Sequence, residues 1–167
     1  MKKILIFFIF ISLFGCSYIK NNNKELVDIS CPSVFFSSER STYISPFQDN
    51  IDLDSIGYKA NLNNFSFSRK CFNESKFNNY ILDLLIIVEP INPINDEINL
   101  PIFVLLYDDN EQLIDKQFFK VNKTFEYDKL GSEYNITEII QSLHITSRYD
   151  QKINSIIIGF VKVRFSF

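Results

Sequence analysis

The chain has 167 residues, 46% hydrophobic and 16% aromatic, with a net charge of −3, one histidine and no tryptophan. A mildly acidic chain without a basic cluster is a poor ligand for nucleic acid. A single histidine, His144, excludes any multi-histidine metal site and leaves a Ser-His-Asp triad one candidate base.

Lys2 and Lys3 open the chain as a short positive segment, and Ile4 to Phe14 follows, apolar except for Ser12. Those 11 residues would span about 16 Å as a helix, against a hydrocarbon core of about 30 Å, so they suit a signal sequence rather than a spanning helix. Leu13-Phe14-Gly15-Cys16 ends the run. It resembles the lipobox of bacterial lipoproteins: leucine three before, a small residue directly before, then cysteine. The resemblance implies a signal peptide over 1–15, cut in front of Cys16, and lipid on the Cys16 thiol and new amino group. Each buried acyl CH₂ adds about 0.8 kcal/mol, and several chains make attachment durable where one does not. Ser17 stands where enterobacterial lipoproteins retained in the inner membrane carry aspartate. By that analogy the protein sits in the bacterial cell envelope, on the outer membrane, facing the periplasm.

Cleavage before Cys16 would leave 152 residues, 15 fewer than the whole chain, enough for one domain with a proper core. Asparagine-rich stretches such as Asn21-Asn22-Asn23 and the many phenylalanines look like AT-rich coding, so they are discounted as functional signals. Apart from Cys16, two cysteines remain, Cys31 and Cys71. In an exported protein an even number of cysteines reads as a disulfide. The chain-entropy model gives a loop of this length about 4 kcal/mol. Two buried free thiols are the alternative. A redox pair would want a Cys-x-x-Cys, which the sequence lacks.

Residues 16–30 are polar and unpatterned, and read as a lipidated tether. Residues 31–167 read as strands and turns. Val34-Phe35-Phe36 is a short strand, and Ser45 to Ser55 is a loop marked by Pro46. Tyr58 to Leu62 and Phe65 to Phe67 alternate with period two, and Cys71-Phe72 follows. Tyr80 to Val88 is nearly all apolar and predicts a central strand buried on both faces. Glu89 to Asn99 holds Pro90 and Pro93 and predicts a loop. Pro101 to Tyr107, the turn Asp108-Asp109-Asn110 and the return Gln112 to Val121 predict a hairpin.

Asn135 to Ile145 fits two patterns. Ile136, Ile139, Ile140 and Leu143 have helical spacing behind a capping-box pair, Asn135 and Glu138. Thr137, Ile139, Gln141, Leu143 and Ile145 alternate as in a strand, which the neighbouring β segments favour. From Ile156 to Phe167, Val161, Val163, Phe165 and Phe167 share one face of a final strand. About seven short strands predict an all-β, immunoglobulin-like antiparallel β-sandwich. Cys31-Pro32, Cys71, Pro101-Ile102-Phe103-Val104 before the Asp108 turn, and Ile158-Gly159-Phe160 resemble small alphaproteobacterial lipoproteins with an immunoglobulin-like domain. That resemblance carries no activity with it.

Catalytic and metal motifs are lacking. No Gly-x-Ser-x-Gly or phosphate loop occurs. The acids of Asp49 to Asp54 lack EF-hand spacing and its glycine, so a solvated loop is the simpler reading. Arg164 to Phe167 resembles the end of an outer-membrane barrel protein, and a sandwich's last strand accounts for the same letters. The expectation is therefore a non-catalytic, membrane-anchored interaction or accessory module of the cell envelope, with no cofactor and a protein partner. Its candidate surfaces are Ser45 to Ser55 and Glu89 to Asn99. The alternatives are a carrier of an apolar ligand such as lipid, which needs a pocket between sheets, and a hydrolase, which needs His144 beside a serine in a cleft or clustered acids.

Overall fold

The computed structural model describes residues 26–46, 56–93, 96–126 and 134–161. Within them ten strands form: β1 (Leu26–Asp28), β2 (Ser33–Phe36), β3 (Thr42–Pro46), β4 (Ile56–Phe67), β5 (Phe72–Glu74), β6 (Phe77–Pro90), β7 (Glu97–Tyr107), β8 (Leu113–Thr124), β9 (Thr137–Arg148) and β10 (Ser155–Phe160). They make two sheets. One runs β1-β5-β6-β4-β3, with β9 on the other edge of β6; the other runs β2-β10-β7-β8. The chain is an all-β, immunoglobulin-like β-sandwich.

The core lies between the sheets. Leu82, Leu84, Ile86 and Val88 of β6 are fully buried, as are Ile98, Leu100, Ile102, Val104 and Leu106 of β7 and Ile156 and Ile158 of β10. Every second residue points inward, which is the period of a pleated strand with one buried face. This corrects the expectation for Tyr80 to Val88. The strand is central, yet Ile81, Asp83, Leu85 and Ile87 on its outer face stay half-buried, because no described element packs over that face. A run that is apolar at every position looks buried on both sides from sequence alone.

In β4 the two alternating segments are one strand. Leu62 pairs with Ile86 and Asn64 with Leu85, so Asn63 is an extra residue. The bulge shifts the phase by one. Tyr58, Ala60 and Leu62 therefore point inward before it, and Phe65 and Phe67 pack on the core after it. Without it, one of the two apolar sets would face solvent.

The ambiguous segment is strand β9, paired to β6 from Thr137 to Arg148. Ile139, Leu143 and Ile145 are buried, whereas Ile140 is 71% exposed. The helical pattern is thus split between two faces, and the β6 ladder decides the outcome.

Other boundaries move. Leu26–Asp28, within the expected tether, is strand β1, antiparallel to β5. Ser45 and Pro46, expected to start a loop, end β3, while 47–55 lie outside the described residues. The Glu89 to Asn99 loop shrinks, since Glu89 and Pro90 end β6 and Glu97 starts β7. Of the predicted final strand, Ser155–Phe160 forms β10, and 162–167 lie outside the described residues. One pair departs from the antiparallel pattern: β2 runs parallel to β10. The chain leaves one sheet after β1, passes Cys31-Pro32 and enters the other as β2. The cystine Cys31–Cys71 fastens this crossing to the link between β4 and β5, with Cα atoms 5.2 Å apart.

Candidate functional site

The hairpin tip between β7 and β8 is built by Asp108. Its Oδ1 accepts from the amides of Asn110 (2.8 Å) and Gln112 (2.9 Å), and Glu111 adopts a positive φ of 59°. An Asp side chain bonding the backbone ahead of it closes a turn. The acids here thus hold the turn, and Asp109 pairs with Lys152 at 2.7 Å. Among the described residues no group of three or more His, Cys, Asp or Glu could hold a metal ion. Asp49 to Asp54 and Cys16 lie outside the described residues.

His144 stands exposed on the outer face of β9, with Nε2 2.9 Å from Asn79 Oδ1. Two residues earlier on the same face, Ser142 donates to Asp83 Oδ1 at 2.5 Å. Hydrogen bonds from Ser142 and then Ser68 hold the Asp83 carboxyl below the usual carboxylate range. A triad needs the imidazole between the serine and the acid. Here serine bonds acid directly, and histidine bonds an amide on an open sheet face.

A cleft of about 590 Å³ opens at the end of the sandwich beside the cystine, lined by residues including Ser30, Cys31, Asn78, Tyr149 and Asn154. Its floor is fixed. The Asn78 amide donates to the carbonyls of Arg148 and Gln151, each at 3.2 Å, and the Tyr80 hydroxyl lies 3.4 Å from Ser147 Oγ. Burial pushes the Tyr80 phenol above its ordinary value, against the opposing pull of bonds to Ser147 and Asn78. No buried side-chain polar atom among the described residues is left without a partner.

The outer face of the β2-β10-β7-β8 sheet has a different character. Register sets Ile157 between Phe35 and Leu105, and Phe103 between Gly159 and Phe118. Phe35 is 54% and Phe118 61% exposed. A Cβ on Gly159 would come within 2.5 Å of the Phe103 ring and 2.9 Å of Arg40 Cβ, so glycine lets that ring lie across the strand. Arg40, Glu39 and Lys116 border the patch, with the Lys116 ammonium 5.0 Å from the Phe118 ring centre. A contiguous apolar surface with a charged border is the usual build of an interaction face.

The sequence-based candidates, the two long loops, did not include this patch. Its signal was present in two places. Ile156-Ile157-Ile158 is apolar on both phases of a strand, and Phe118-Phe119 puts one ring on each face. The class that fold and surface define is an immunoglobulin-like sandwich whose β2-β10-β7-β8 sheet carries two exposed phenylalanines on its outer face. Comparison with protein-family models, curated proteins and solved structures finds no match to the chain.

Proposed function

We propose that this protein is a lipid-anchored module of the bacterial cell envelope, held by Cys16 and docking a protein partner on the outer face of the β2-β10-β7-β8 sheet. The observation that carries the docking face is the continuous row Phe35–Ile157–Leu105 with Phe103–Phe118 beside it. Two exposed phenylalanines within one apolar patch lose free energy to water and regain it when a partner covers them. The anchor rests on Leu13-Phe14-Gly15-Cys16, and the outer membrane facing the periplasm on Ser17.

A non-catalytic role is supported by His144 and Ser142, which are bonded to Asn79 and Asp83 rather than to each other. An apolar-ligand carrier draws less support. Side chains at 0% exposure from β6, β7 and β10 fill the space between sheets that such a ligand would need.

The test is photo-crosslinking in intact cells from positions 35 and 118, with position 140 on the opposite sheet as control. One defined adduct from both test positions, absent from 140 and lost in Cys16→Ser, supports the reading. Equal labelling from all three positions, or none, overturns it.

A further inference from the structure

The end of the sandwich nearest the predicted anchor is not an ordinary polar end. Leu26, Glu74, Phe77 and Arg148 stand in one row across β1, β5, β6 and β9. Phe77 lies on the outer face of its sheet, opposite in phase to the buried Asn78 and in phase with half-buried Ile81. Side chains of one row share a face, so Leu26 and Phe77 point the same way. Their exposures are 50% and 52%. Tyr149, 63% exposed, begins the next turn, and its amide donates to the Lys76 carbonyl at 2.9 Å. Two turns are thereby tied into one corner that displays Leu26, Phe77 and Tyr149.

We infer that this corner rests in the headgroup region of the bilayer, so that the domain touches the membrane that anchors it. The inference depends on the lipoprotein reading of Cys16. Ten residue steps separate Cys16 from Leu26 and reach at most about 36 Å, less than the length of about 46 Å of strand β6 itself. An anchor shorter than the domain keeps the β1 end close to the lipid. Leu, Phe and Tyr beside basic residues is the composition that partitions into a membrane interface.

Charge orients the contact. Arg69, Lys70, Lys76 and Arg148 stand at or beside this corner with Asp28, Glu74 and Asp150, a net surplus of one base; Lys70 pairs with Asp28 and Arg148 with Asp150. The acidic tip Asp108 to Glu111 stands at the same end on the other sheet, since Tyr107 is level with Ser155 and Ser155 with Ser33. An anionic leaflet attracts the first group and repels the second. The sandwich therefore tilts onto its β1-β5-β6-β9 corner, and the Phe118 face stays clear of lipid.

The chain has no tryptophan, so one introduced indole reports alone. Full-length Phe77→Trp, Tyr149→Trp and Ile91→Trp proteins, the last at the opposite end of β6, are reconstituted into phosphatidylethanolamine–phosphatidylglycerol vesicles containing brominated lipid. Side chains seated at the acyl boundary should be quenched at least about threefold more at 77 and 149 than at 91. Vesicle flotation and the mass of Cys16 are measured on the same samples. Floating protein with lipidated Cys16 and equally weak quenching at all three sites overturns the contact and leaves the anchor standing. Protein that does not float, with Cys16 unmodified, removes the anchor and the contact together. Phe77→Ser with Tyr149→Ser, at exposed positions, should abolish vesicle protection of the position-77 amide in hydrogen exchange without lowering the melting temperature. Retained protection also overturns the inference.

Discussion

The Tyr58 hydroxyl donates to the Asn99 carbonyl and accepts from the Asn99 amide, each at 2.9 Å. Tyr58 belongs to β4 and Asn99 to β7, so one side chain closes a polar gap across the sandwich. Strand β10 pairs with β7 just short of this point. Its last pair with β7 is Phe160 with Ile102, and the amide of Val161 then donates to the Pro101 carbonyl. The Tyr58 hydroxyl thus satisfies the amide and the carbonyl of half-buried Asn99 together, and a backbone group left without a partner is costly. Tyr58→Phe should lower unfolding free energy by about 1–3 kcal/mol, because both Asn99 groups lose their partner. Urea unfolding of both proteins measures this. A loss near zero would mean that water replaces the hydroxyl.

The cystine gives a second prediction. Its loop spans 40 residues, and Cys71 is 1% exposed. Reduction, or Cys31→Ser with Cys71→Ser, should cost about 4 kcal/mol in the chain-entropy model. The loss should appear as a lower denaturation midpoint with and without reductant. Strand β1 should lose hydrogen-exchange protection first, since its three pairs with β5 adjoin the cystine and all three of its residues are exposed.

Gly159 and Phe103 give a third. An added methyl at 159 would lie 2.5 Å from the Phe103 ring, so Gly159→Ala forces the ring to move. Overpacking of this kind costs about 1–3 kcal/mol. Phe103→Leu should restore part of the loss, and a double-mutant cycle over the two sites would show the coupling. Additive effects would mean that the strain lies against Arg40 instead.

Asp83 supplies a pH prediction. Its carboxyl is held below the ordinary range by bonds from Ser142 and then Ser68. A depressed folded-state value makes its contribution to stability present above the unfolded carboxylate pKa, and lost as pH falls through the folded value. Ser142→Ala should therefore move the carboxyl titration upward, read by carbon-13 NMR of Asp83. An unmoved titration would show that the serine does not donate in solution.

Core truncation gives the last. Leu84 and Ile102 are both 0% exposed on facing sheets. Leu84→Ala or Ile102→Ala should cost about 2–5 kcal/mol by thermal or chemical melt. A much smaller loss would mean that the space between the sheets is loosely filled and would revive the carrier reading.

What the sequence determined by itself is what depends on period and chemistry within one segment. Alternation marked β4, and apolar runs marked β6 and the β7–β8 pair as strands. The Asp108 cluster marked their hairpin, because an Asp side chain bonds its own backbone. Exposed to an oxidant, Cys31 and Cys71 had no other partner among the described residues. Tertiary structure decided the rest. Asn135 to Ile145 carried helical and strand periods at once, and only the ladder with β6 separated Ile139 from Ile140. The short strands β1, β3 and β5 have too few residues to show a period; β3 and β5 form on the edges of the longer β4 and β6, and β1 then pairs with β5. Which apolar side chains stay exposed also lies beyond the sequence. Ile157 and Ile158 differ only in the side of the sheet they occupy, and that side is fixed by β7, more than fifty residues away.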